Sequence, residues 1–560
     1  MSSNKITSSH PVIRHAHIPI VPGQLTRLES FRSQLLSRVI EKTLDGFNEE
    51  NSESMLSEAL YSDRLRVKME RSGIFTKKRL ARDRRLWNEV QQGLLEPSLQ
   101  TNREDLLRKV LSHYAEEIGG HFDSRVYSFA TRAIPWGFSW LLNAASVQRF
   151  LPWGMSESLE SRLSIVGEVP HLQKLAQKGT ILLVPTHQSN IDSVLIGYVI
   201  YLMSLTPFAY GAGLNLFSNP VLNFFMSNLG SYTVDRKKTN VIYKQLLKNY
   251  SVEILRDGIH SIFFPGGGRS RSGAIESHIK LGLLGTGLEA QIENLKAGKE
   301  NPNIYVVPMV TSYHFVLEAS SLIEDYLAEA GKHQYIMTDD ESWQSAKVFN
   351  FFWKVFAQPS GLTVRIGKPL DVFGNLVDGD GRSIDEQGKV IDTRALVSVN
   401  GEPTHVPERD RAYTRELGEA LVDRFHRDNT VLSSHIVAFA FFEALRRRHS
   451  ELDLFRFLRL PYEQRWLSYA DFLIEVERVY ALLLQKEQNQ ECHLSEDVKN
   501  RELKKWVEHG IRNLGVYHGV HALKHVDSSS GSLSSANALL TSEDLALLFY
   551  YRNRLEGYGL

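Results

Sequence analysis

The chain has 560 residues, of which 42% are hydrophobic and 23% charged, and its formal net charge is zero. This composition is typical of a folded protein with two or three domains, and it gives no overall attraction to nucleic acids or other polyanions. The single cysteine, Cys492, excludes an intramolecular disulfide and a cysteine-based metal cluster, which indicates a reducing compartment.

The first 24 residues mix Ser, His, Pro and Asn without periodicity, and we expect a loose lead-in without a signal peptide. No apolar run in the sequence reaches the roughly 18 residues of a membrane-spanning helix. We therefore expect a chain that is soluble or bound to one face of a membrane. Residues 25–160 have helical spacing and form the predicted N-terminal region.

The segment Arg64–Arg85 within this region is strongly basic, with ten Lys and Arg side chains against only Glu70 and Asp83. Three interpretations are open: a solvated helical face, a surface that docks on an anionic membrane, or a nucleic-acid site. No recognised nucleic-acid module accompanies the charge. The aromatic stretch Tyr127–Met155 that follows is interpreted either as an interdomain core or as helices lying at the lipid interface, with core favoured.

From residue 161 to residue 429 short apolar strands alternate with helical patterns, which predicts an α/β domain with a central mixed sheet flanked by helices. The helical patterns fall near 191–203, 218–229, 240–257, 276–297, 316–330 and 343–357. The predicted strands are Ile181–Val184, Phe208–Gly211, Ser231–Val234, Ser261–Phe264, Tyr305–Val310 and Thr363–Ile366.

A Gly- and Asp-rich insertion, residues 374–407, interrupts this rhythm and is predicted to be a surface hairpin. Its segment Asp378–Gly381 lacks the later ligands of a calcium loop, so we do not predict calcium there. Residues 430–560 are predicted to be a helical C-terminal region without a strand rhythm.

The segment Thr180–Asp192 carries the clearest chemical signal. A buried strand breaks at Pro185 and Thr186, His187 follows, and Asp192 falls in the first turn of the next helix. A carboxylate that holds one imidazole nitrogen fixes the tautomer and makes the other nitrogen a general base. We therefore predict that His187 and Asp192 are a catalytic pair.

Two downstream stretches place cations at strand ends, where open α/β sheets bind their ligands. After the strand that ends at Val234, Arg236, Lys237 and Lys238 are predicted to bind a phosphate. After the strand near Phe263, three glycines precede Arg269, Ser270 and Arg271, and this combination favours a second contribution to the same anion site. The backbone N–H groups of Gly266, Gly267 and Gly268 are candidates for an oxyanion hole.

A further strand, near Val306, ends in Tyr313, His314 and Glu318. In this order and spacing, the four stretches resemble the glycerophospholipid acyltransferase superfamily, and within it the glycerol-3-phosphate acyltransferase branch. Two C-terminal passages, Val431–Ala440 and Leu548–Asn553, are also similar to that branch. The sequence departs from the superfamily at Gly266, where many members have glutamate, and at Asp235, where related bacterial enzymes often have arginine.

The resemblance implies a 1-O-acyltransferase in phospholipid biosynthesis that works without a metal or other cofactor. His187 would deprotonate the hydroxyl of glycerol 3-phosphate, and a fatty acyl group would move to it from a thioester cosubstrate, acyl-CoA or acyl carrier protein. It also implies a peripheral position at the cytoplasmic face of the inner or plasma membrane. The alternatives are another acceptor, dihydroxyacetone phosphate or lysophosphatidate, and a non-catalytic, membrane-associated lipid-binding protein.

Overall fold

The computed structural model describes residues 23–47, 49–70, 76–95, 103–132, 163–214, 220–331, 362–514, 519–526 and 538–560. The first of these segments are helical. Their apolar faces form a core with two strands at one edge of the central sheet, Ala209–Gly213 and Ser231–Val234, and with the helix Val241–Arg256. This core includes Val39, Val110, Tyr232 and Ile254. The helices are α1 (Leu28–Asp45), α2 (Glu49–Met69), α3 (Thr76–Leu95), α4 (Arg103–Ile118) and α5 (124–132).

A seven-stranded sheet forms the centre of the chain, in the order β1-β7-β6-β2-β5-β3-β4. Neighbouring strands are parallel except β6 and β7, which are antiparallel, so the sheet is mixed. The strands are β1 (Leu163–Gly167), β2 (Thr180–Pro185), β3 (Ala209–Gly213), β4 (Ser231–Val234), β5 (Ser261–Ile262), β6 (Ile304–Ser312) and β7 (Leu362–Ile366).

Helices connect successive strands, as parallel pairing requires. Strands β2 and β6 lie in the middle of the sheet and are buried along their whole length, which explains their continuous apolar runs. The connecting helices are α6 (Val169–Lys178), α7 (Asp192–Leu202), α8 (Pro220–Met226), α9 (Val241–Arg256), α10 (Leu281–Lys296) and α11 (Ala319–Gly331).

The insertion holds two small antiparallel pairs, and the second turns at Asn400 and Gly401, both of which have positive φ as a two-residue hairpin turn demands. Its elements are β8 (Leu376–Val377), β9 (Ser383–Ile384), α12 (Thr393–Val397), β10 (Ser398–Val399) and β11 (Glu402–Pro403).

The C-terminal region packs its helices into the same apolar core as the sheet. Helix α13 (Pro407–Arg427) leads from the insertion to this region, whose helices are α14 (Ser433–Arg448), α15 (Leu454–Leu458), α16 (Tyr469–Gln488), α17 (Glu496–Lys499), α18 (Leu503–Asn513) and α19 (Leu545–Arg552). Its strands are β12 (Thr430–Val431), β13 (Trp466–Ser468), β14 (His493–Leu494), β15 (Lys524–His525) and β16 (Leu539–Thr541).

The predicted fold class is confirmed: a mixed α/β sheet lies between helical N-terminal and C-terminal regions. The C-terminal region is mainly helical, as predicted, and it also holds the short paired strands β12–β16. Each has only two or three residues, too few to leave an alternating pattern in the sequence. Strand β1 was also not predicted. The predicted helix at 343–357 and most of the aromatic stretch Tyr127–Met155 lie outside the described residues.

The basic segment Arg64–Arg85 divides into two groups. Arg66 is buried between Asp63 and Asp83, and Arg79 bonds Glu70, so these two cations belong to the interior of the helical region. The others among the described residues are exposed: Arg64, Lys68, Lys77, Lys78, Arg82, Arg84 and Arg85. Across the described ranges, no helix combines the length and the hydropathy that a membrane crossing requires.

Candidate active site

The loop between β2 and α7, residues 186–191, is called the His187 loop here. His187 Nδ1 lies 2.9 Å from Asp192 Oδ2, and the imidazole is 15% exposed whereas the carboxylate is fully buried. The same Oδ2 atom accepts the backbone N–H groups of Gln188 at 2.7 Å and Ser189 at 2.9 Å. The tight turn between strand and helix therefore brings the predicted pair together, and it leaves Nε2 of His187 as the nitrogen that can accept a proton.

Tyr313, just past the end of β6, completes the surroundings of Asp192. Its hydroxyl donates a hydrogen bond to Asp192 Oδ1. Burial raises the pKa of the Tyr313 phenol, and the negative charge of Asp192 raises it further, so the hydroxyl keeps its proton. Both carboxylate oxygens are thus held by donors, which fixes the plane of the carboxylate and with it the orientation of the His187 ring.

The backbone of His187 is held on both sides by the loop between β5 and α10, residues 263–280, called the Arg269 loop here. The N–H of His187 donates to Glu276 Oε1 at 2.7 Å, and its carbonyl accepts the N–H of Ser270 at 2.7 Å. The ring of Phe264 lies beside the imidazole, with 4.4 Å between the ring centroids. The Arg269 loop therefore sets the position of the histidine as well as carrying cations.

Glu318 connects the His187 loop to Arg269. Its carboxylate accepts Ser189 Oγ–H and the N–H of Asn190, both at 3.0 Å, and lies 3.4 Å from Arg269 Nη1. The Arg269 side chain is only 9% exposed. A single buried carboxylate thus keeps the guanidinium of Arg269 next to the loop that carries the imidazole.

Arg236 lies close enough to Arg269 for the two charges to repel. Partial desolvation lowers the pKa of Arg236, and the positive charge of Arg269 lowers it further. Arg236 is exposed at the end of its strand. An anion bound near both guanidinium groups would offset their repulsion, and the forked donors of a guanidinium match a phosphate. Arg236 and Arg269 are therefore the cations that the structure brings together at the strand ends.

The other predicted phosphate ligands lie in different surroundings. The Arg271 side chain is 39% exposed and pairs with Glu329 on α11, while Ser270 donates its hydroxyl to the carbonyl of Ala274 at 2.7 Å. Lys237 is exposed and donates its N–H to Asp235.

The prediction that Lys238 binds the phosphate is corrected by its position. Its ammonium group is fully buried, pairs with Glu117 of α4 and lies 4.4 Å from the centre of the Tyr114 ring. The neighbouring Asp235 pairs with Arg79 at 3.2 Å and with Arg66 at 3.8 Å. Residues 235–240, called the Arg236 loop here, are therefore attached to the N-terminal helices by the two charged residues that flank Arg236 and Lys237.

The three glycines form the first turn of the Arg269 loop. Gly267 has a φ of +67°, a conformation that favours glycine, and a Cβ atom there would lie 2.6 Å from Lys280 Nζ. Its N–H donates to the carbonyl of Phe264 at 3.2 Å, which occupies one of the three candidate oxyanion donors. Gly266 and Gly268 remain candidates.

Two residues near the site were not predicted from the sequence. Glu276 follows the glycine turn without any recognisable spacing, and Arg554 comes from the last residues of the chain. Arg554 is buried and donates to the carbonyl of Thr311 at 2.8 Å, next to the end of β6. Neither residue stands in a recognisable local pattern, because its partner is distant in the sequence. His187 lies 89 residues from Glu276, and Thr311 lies 243 residues from Arg554.

Residues 168–312 match the family model described as "Acyltransferase". A glycerol-3-phosphate acyltransferase of Haemophilus influenzae is 32% identical over 182 residues, which are 32% of this chain and 21% of that protein. One from Pseudomonas savastanoi is 24% identical over 359 residues, which are 64% of this chain and 37% of that protein. The chain thus spans about a fifth to two fifths of the length of these curated relatives.

A crystal structure of 1-acyl-sn-glycerophosphate acyltransferase from Thermotoga maritima aligns with 60% of this chain and 87% of its own, at 16% identity and a TM-score of 0.25, too low a similarity to compare the sites. The family match and the curated relatives confirm the resemblance to the glycerophospholipid acyltransferases and to their glycerol-3-phosphate branch.

Proposed function

We propose that this chain transfers a fatty acyl group from a thioester donor to the sn-1 hydroxyl of glycerol 3-phosphate and releases lysophosphatidate and a thiol. The observation that carries the proposal is the geometry of three side chains. The imidazole of His187, oriented by Asp192, lies on a loop that Glu318 joins to Arg269, and the charge of Arg269 acts on Arg236. The names of the curated relatives support the same activity.

In this mechanism His187 Nε2 accepts the proton of the acceptor hydroxyl while its oxygen attacks the carbonyl carbon of the thioester. The tetrahedral intermediate collapses by breaking the carbon–sulfur bond, and the imidazolium returns the proton to the departing sulfur. Arg236 and Arg269 bind the phosphate, which holds the hydroxyl next to the imidazole; positioning of this kind can supply several kcal/mol. No covalent enzyme intermediate, metal or redox cofactor takes part in the proposed reaction.

The acceptor is tested with the purified full chain and radiolabelled acyl-CoA and acyl carrier protein donors, each with glycerol 3-phosphate, dihydroxyacetone phosphate and lysophosphatidate. We expect product with glycerol 3-phosphate, and His187→Ala should lower kcat by at least about 1,000-fold. Turnover by the variant close to that of the parent would rule out the proposed base. Product with one of the other acceptors alone would replace the substrate assignment, and no product with any would favour a lipid-binding protein.

The phosphate site is tested by Arg269→Ala. Because this guanidinium lies beside the His187 loop and its charge acts on Arg236, we expect the KM for glycerol 3-phosphate to rise by about 10- to 100-fold, with a smaller change in the KM for the thioester. Lys178→Ala, a surface substitution in α6, is a control that should leave both constants unchanged. An unaltered acceptor KM in Arg269→Ala would remove Arg269 from the site.

For the cell, we propose a peripheral position at the cytoplasmic face of an anionic membrane. On α2, Tyr61, Leu65 and Met69 follow one another at four-residue spacing and are exposed by 73%, 47% and 75%. Lys77 and Lys78 belong to the exposed basic side chains of the adjacent α3. Apolar side chains next to cations favour an interfacial contact with acidic lipids.

Sedimentation with vesicles of phosphatidylglycerol or phosphatidylcholine checks this contact. We expect binding to the acidic vesicles, and the pair Lys77→Glu and Lys78→Glu should weaken it at least about 10-fold, since each basic residue near the surface contributes about 1 kcal/mol. Equal binding of the parent and the variant would remove these helices from the contact.

A further inference from the structure

A buried carboxylate that the sequence did not point to lies directly behind the proposed base. Glu276 Oε1 accepts the backbone N–H of His187 at 2.7 Å, while Ser270 N–H donates to the carbonyl of the same residue at 2.7 Å. These two hydrogen bonds hold the peptide units on either side of the His187 Cα atom. Glu276 is thus one of two groups that determine where the Cα–Cβ bond of His187 points.

The charge of Glu276 is poorly compensated by hydrogen bonds. Burial raises the pKa of Glu276, and the His187 N–H and the positive charge of Arg554 lower it by smaller amounts. No described residue hydrogen-bonds Glu276 Oε2 or Arg554 Nη1, although the two side chains attract each other. A buried carboxylate with one unsatisfied oxygen costs stability, so its position is explained by the histidine that it holds rather than by folding.

The space that Glu276 fills is also accessible from Gly266. A Cβ atom at Gly266 would lie 3.4 Å from Glu276 Cγ and 3.9 Å from Glu276 Oε1, and the backbone of Gly266 is outside the left-handed region. The second distance is about the reach of a glutamate side chain from Cβ to its carboxylate. The nearest atom to that Cβ would be the carbonyl oxygen of Gly268, at 3.3 Å. The point from which Glu276 holds the His187 N–H is therefore within reach of a glutamate carboxylate at position 266.

We infer that Glu276 is a positioning residue for the acyl transfer. It fixes the His187 peptide from position 276, and it thereby serves in place of a carboxylate at position 266. This inference rests on the proposed function, since it assumes that His187 is the base. Loss of the carboxylate leaves the acceptor site intact but lets the imidazole move away from the acceptor hydroxyl.

Steady-state kinetics of Glu276→Ala separate positioning from substrate binding. We expect kcat to fall by about 10- to 100-fold, because a displacement of about 1 Å at the reacting atoms can cost that much. The acceptor KM should change by less than about three-fold, since Arg236 and Arg269 are untouched. Glu276→Gln, whose amide oxygen can still accept the His187 N–H, should keep most of the activity. A wild-type kcat in Glu276→Ala would overturn the inference.

A double variant tests whether a carboxylate at position 266 can replace the carboxylate at position 276. Gly266→Glu alone places two carboxylates in one buried space and should be nearly inactive. Combined with Glu276→Gly it should recover at least about 10-fold over either single variant, which is the non-additivity expected of residues that occupy one space. A double variant no more active than the weaker single variant would refute the shared role.

Hydrogen exchange at residues 186–192 decides the question without any turnover. In Glu276→Ala these amides should exchange faster while exchange in α14 stays unchanged, and in Glu276→Gln and in the double variant protection should return. The matched control is Glu475→Gln, which replaces a buried carboxylate of the C-terminal region that pairs with Arg447 and Arg478. It should leave the exchange rates of residues 186–192 unchanged. If the wild-type chain transfers no acyl group but this exchange pattern appears, the proposed function fails and the positioning contact stands. If exchange at residues 186–192 is unaltered in Glu276→Ala, the positioning contact fails instead.

Discussion

The Arg236 loop is held by the N-terminal helices α1–α4, called the N-terminal flank here. The Arg269 loop is held by residues of the C-terminal region, 430–560, called the C-terminal flank. The two attachments depend on different forces. The Arg236 loop is attached to the N-terminal helices through full charges, with Asp235 between Arg66 and Arg79 and Lys238 against Glu117. The Arg269 loop contacts the C-terminal residues through a neutral hydrogen bond and close packing, and Glu276 of the loop is attracted to Arg554 without a hydrogen bond to it. There the Asn553 amide donates to the carbonyl of Ser272 at 2.9 Å.

Each of the two loops that carry a guanidinium group of the proposed phosphate site is therefore held by a different part of the chain. Charged contacts in the interior are strong only while every partner is present, because an unpaired buried ion is expensive. Neutral hydrogen bonds contribute about 1 kcal/mol each, and the loss of one leaves the others in place. The two loops should therefore respond to mutation and to acid in different ways.

The largest effect is expected at the charged attachment. Asp235→Asn keeps the side-chain acceptor for the Lys237 N–H but leaves Arg66 and Arg79 with one negative charge fewer, so the free energy of unfolding should fall by about 3–5 kcal/mol. The acceptor KM should rise as Arg236 loses its fixed position. Chemical denaturation and acceptor titration measure both.

Asp380→Asn, at an exposed ion pair with Lys178, is the control and should change stability by less than about 0.5 kcal/mol. If Asp235→Asn were as stable as the parent, the charged network would not be what holds the Arg236 loop.

As the pH falls, the C-terminal flank should lose stability before the N-terminal flank does. Burial lowers the pKa of His314 to about 4, with Asp497 opposing that shift and with His509 and Arg501 adding to it; burial also puts the pKa of His435 well below its ordinary value. The unfolded chain therefore takes up protons at these histidines first as the pH falls below about 6.5, and the C-terminal flank should lose about 2 kcal/mol per histidine by pH 5.

The N-terminal network should be stable over that interval. Burial alone would raise the pKa of Asp83, but the His113 hydrogen bond and the charges of Lys238 and Arg66 bring it below its ordinary value of 3.8. Its contribution is thus present above pH 3.8 and is lost only in stronger acid. Hydrogen exchange in α14 and α4 between pH 7 and pH 5, corrected for the intrinsic rate, checks the order. His314→Gln should flatten the response of α14, and simultaneous loosening of both helices would contradict the comparison.

A smaller effect is expected at the neutral attachment. Asn553→Ala removes the hydrogen bond to Ser272 and should lower the free energy of unfolding by about 1 kcal/mol, with a rise of a few-fold in the acceptor KM. Thermal unfolding and acceptor titration measure these changes. Asn500→Ala, at an exposed amide on the same flank, is the control. A loss as large as that of Asp235→Asn would show that the two attachments do not differ in kind.

The smallest effect is expected at Arg271. Its pair with Glu329 is partly exposed, so Arg271→Ala should change stability by less than about 1 kcal/mol and should raise the acceptor KM less than Arg269→Ala does. Acceptor titration of the two variants side by side provides the measurement. A larger KM effect in Arg271→Ala would return Arg271 to the phosphate site at the expense of Arg269.

The features that the sequence predicted correctly are those encoded within a few residues. The contact between His187 and Asp192 was predicted because a strand end, a turn and a helix start lie within one short segment. Lys238 was assigned wrongly because a cation after a strand has the same local pattern whether it faces solvent or a carboxylate such as Glu117, 121 residues earlier. Glu276 gave no signal at all, since only the folded chain brings its carboxylate to the backbone of His187.

The contact between Gly273 and α19 bears on how the chain can be divided. Gly273 has a φ of +82°, and a Cβ atom there would lie 2.1 Å from the carbonyl oxygen of Tyr550, so not even a methyl group fits between the Arg269 loop and the last helix. A fragment limited to residues 168–312, the stretch that matches the acyltransferase family model, would lack α19. The apolar residues that α19 covers at the Arg269 loop would then be exposed. We therefore expect that any fragment tested for the proposed acyl transfer needs α19, which begins more than two hundred residues beyond the end of the match.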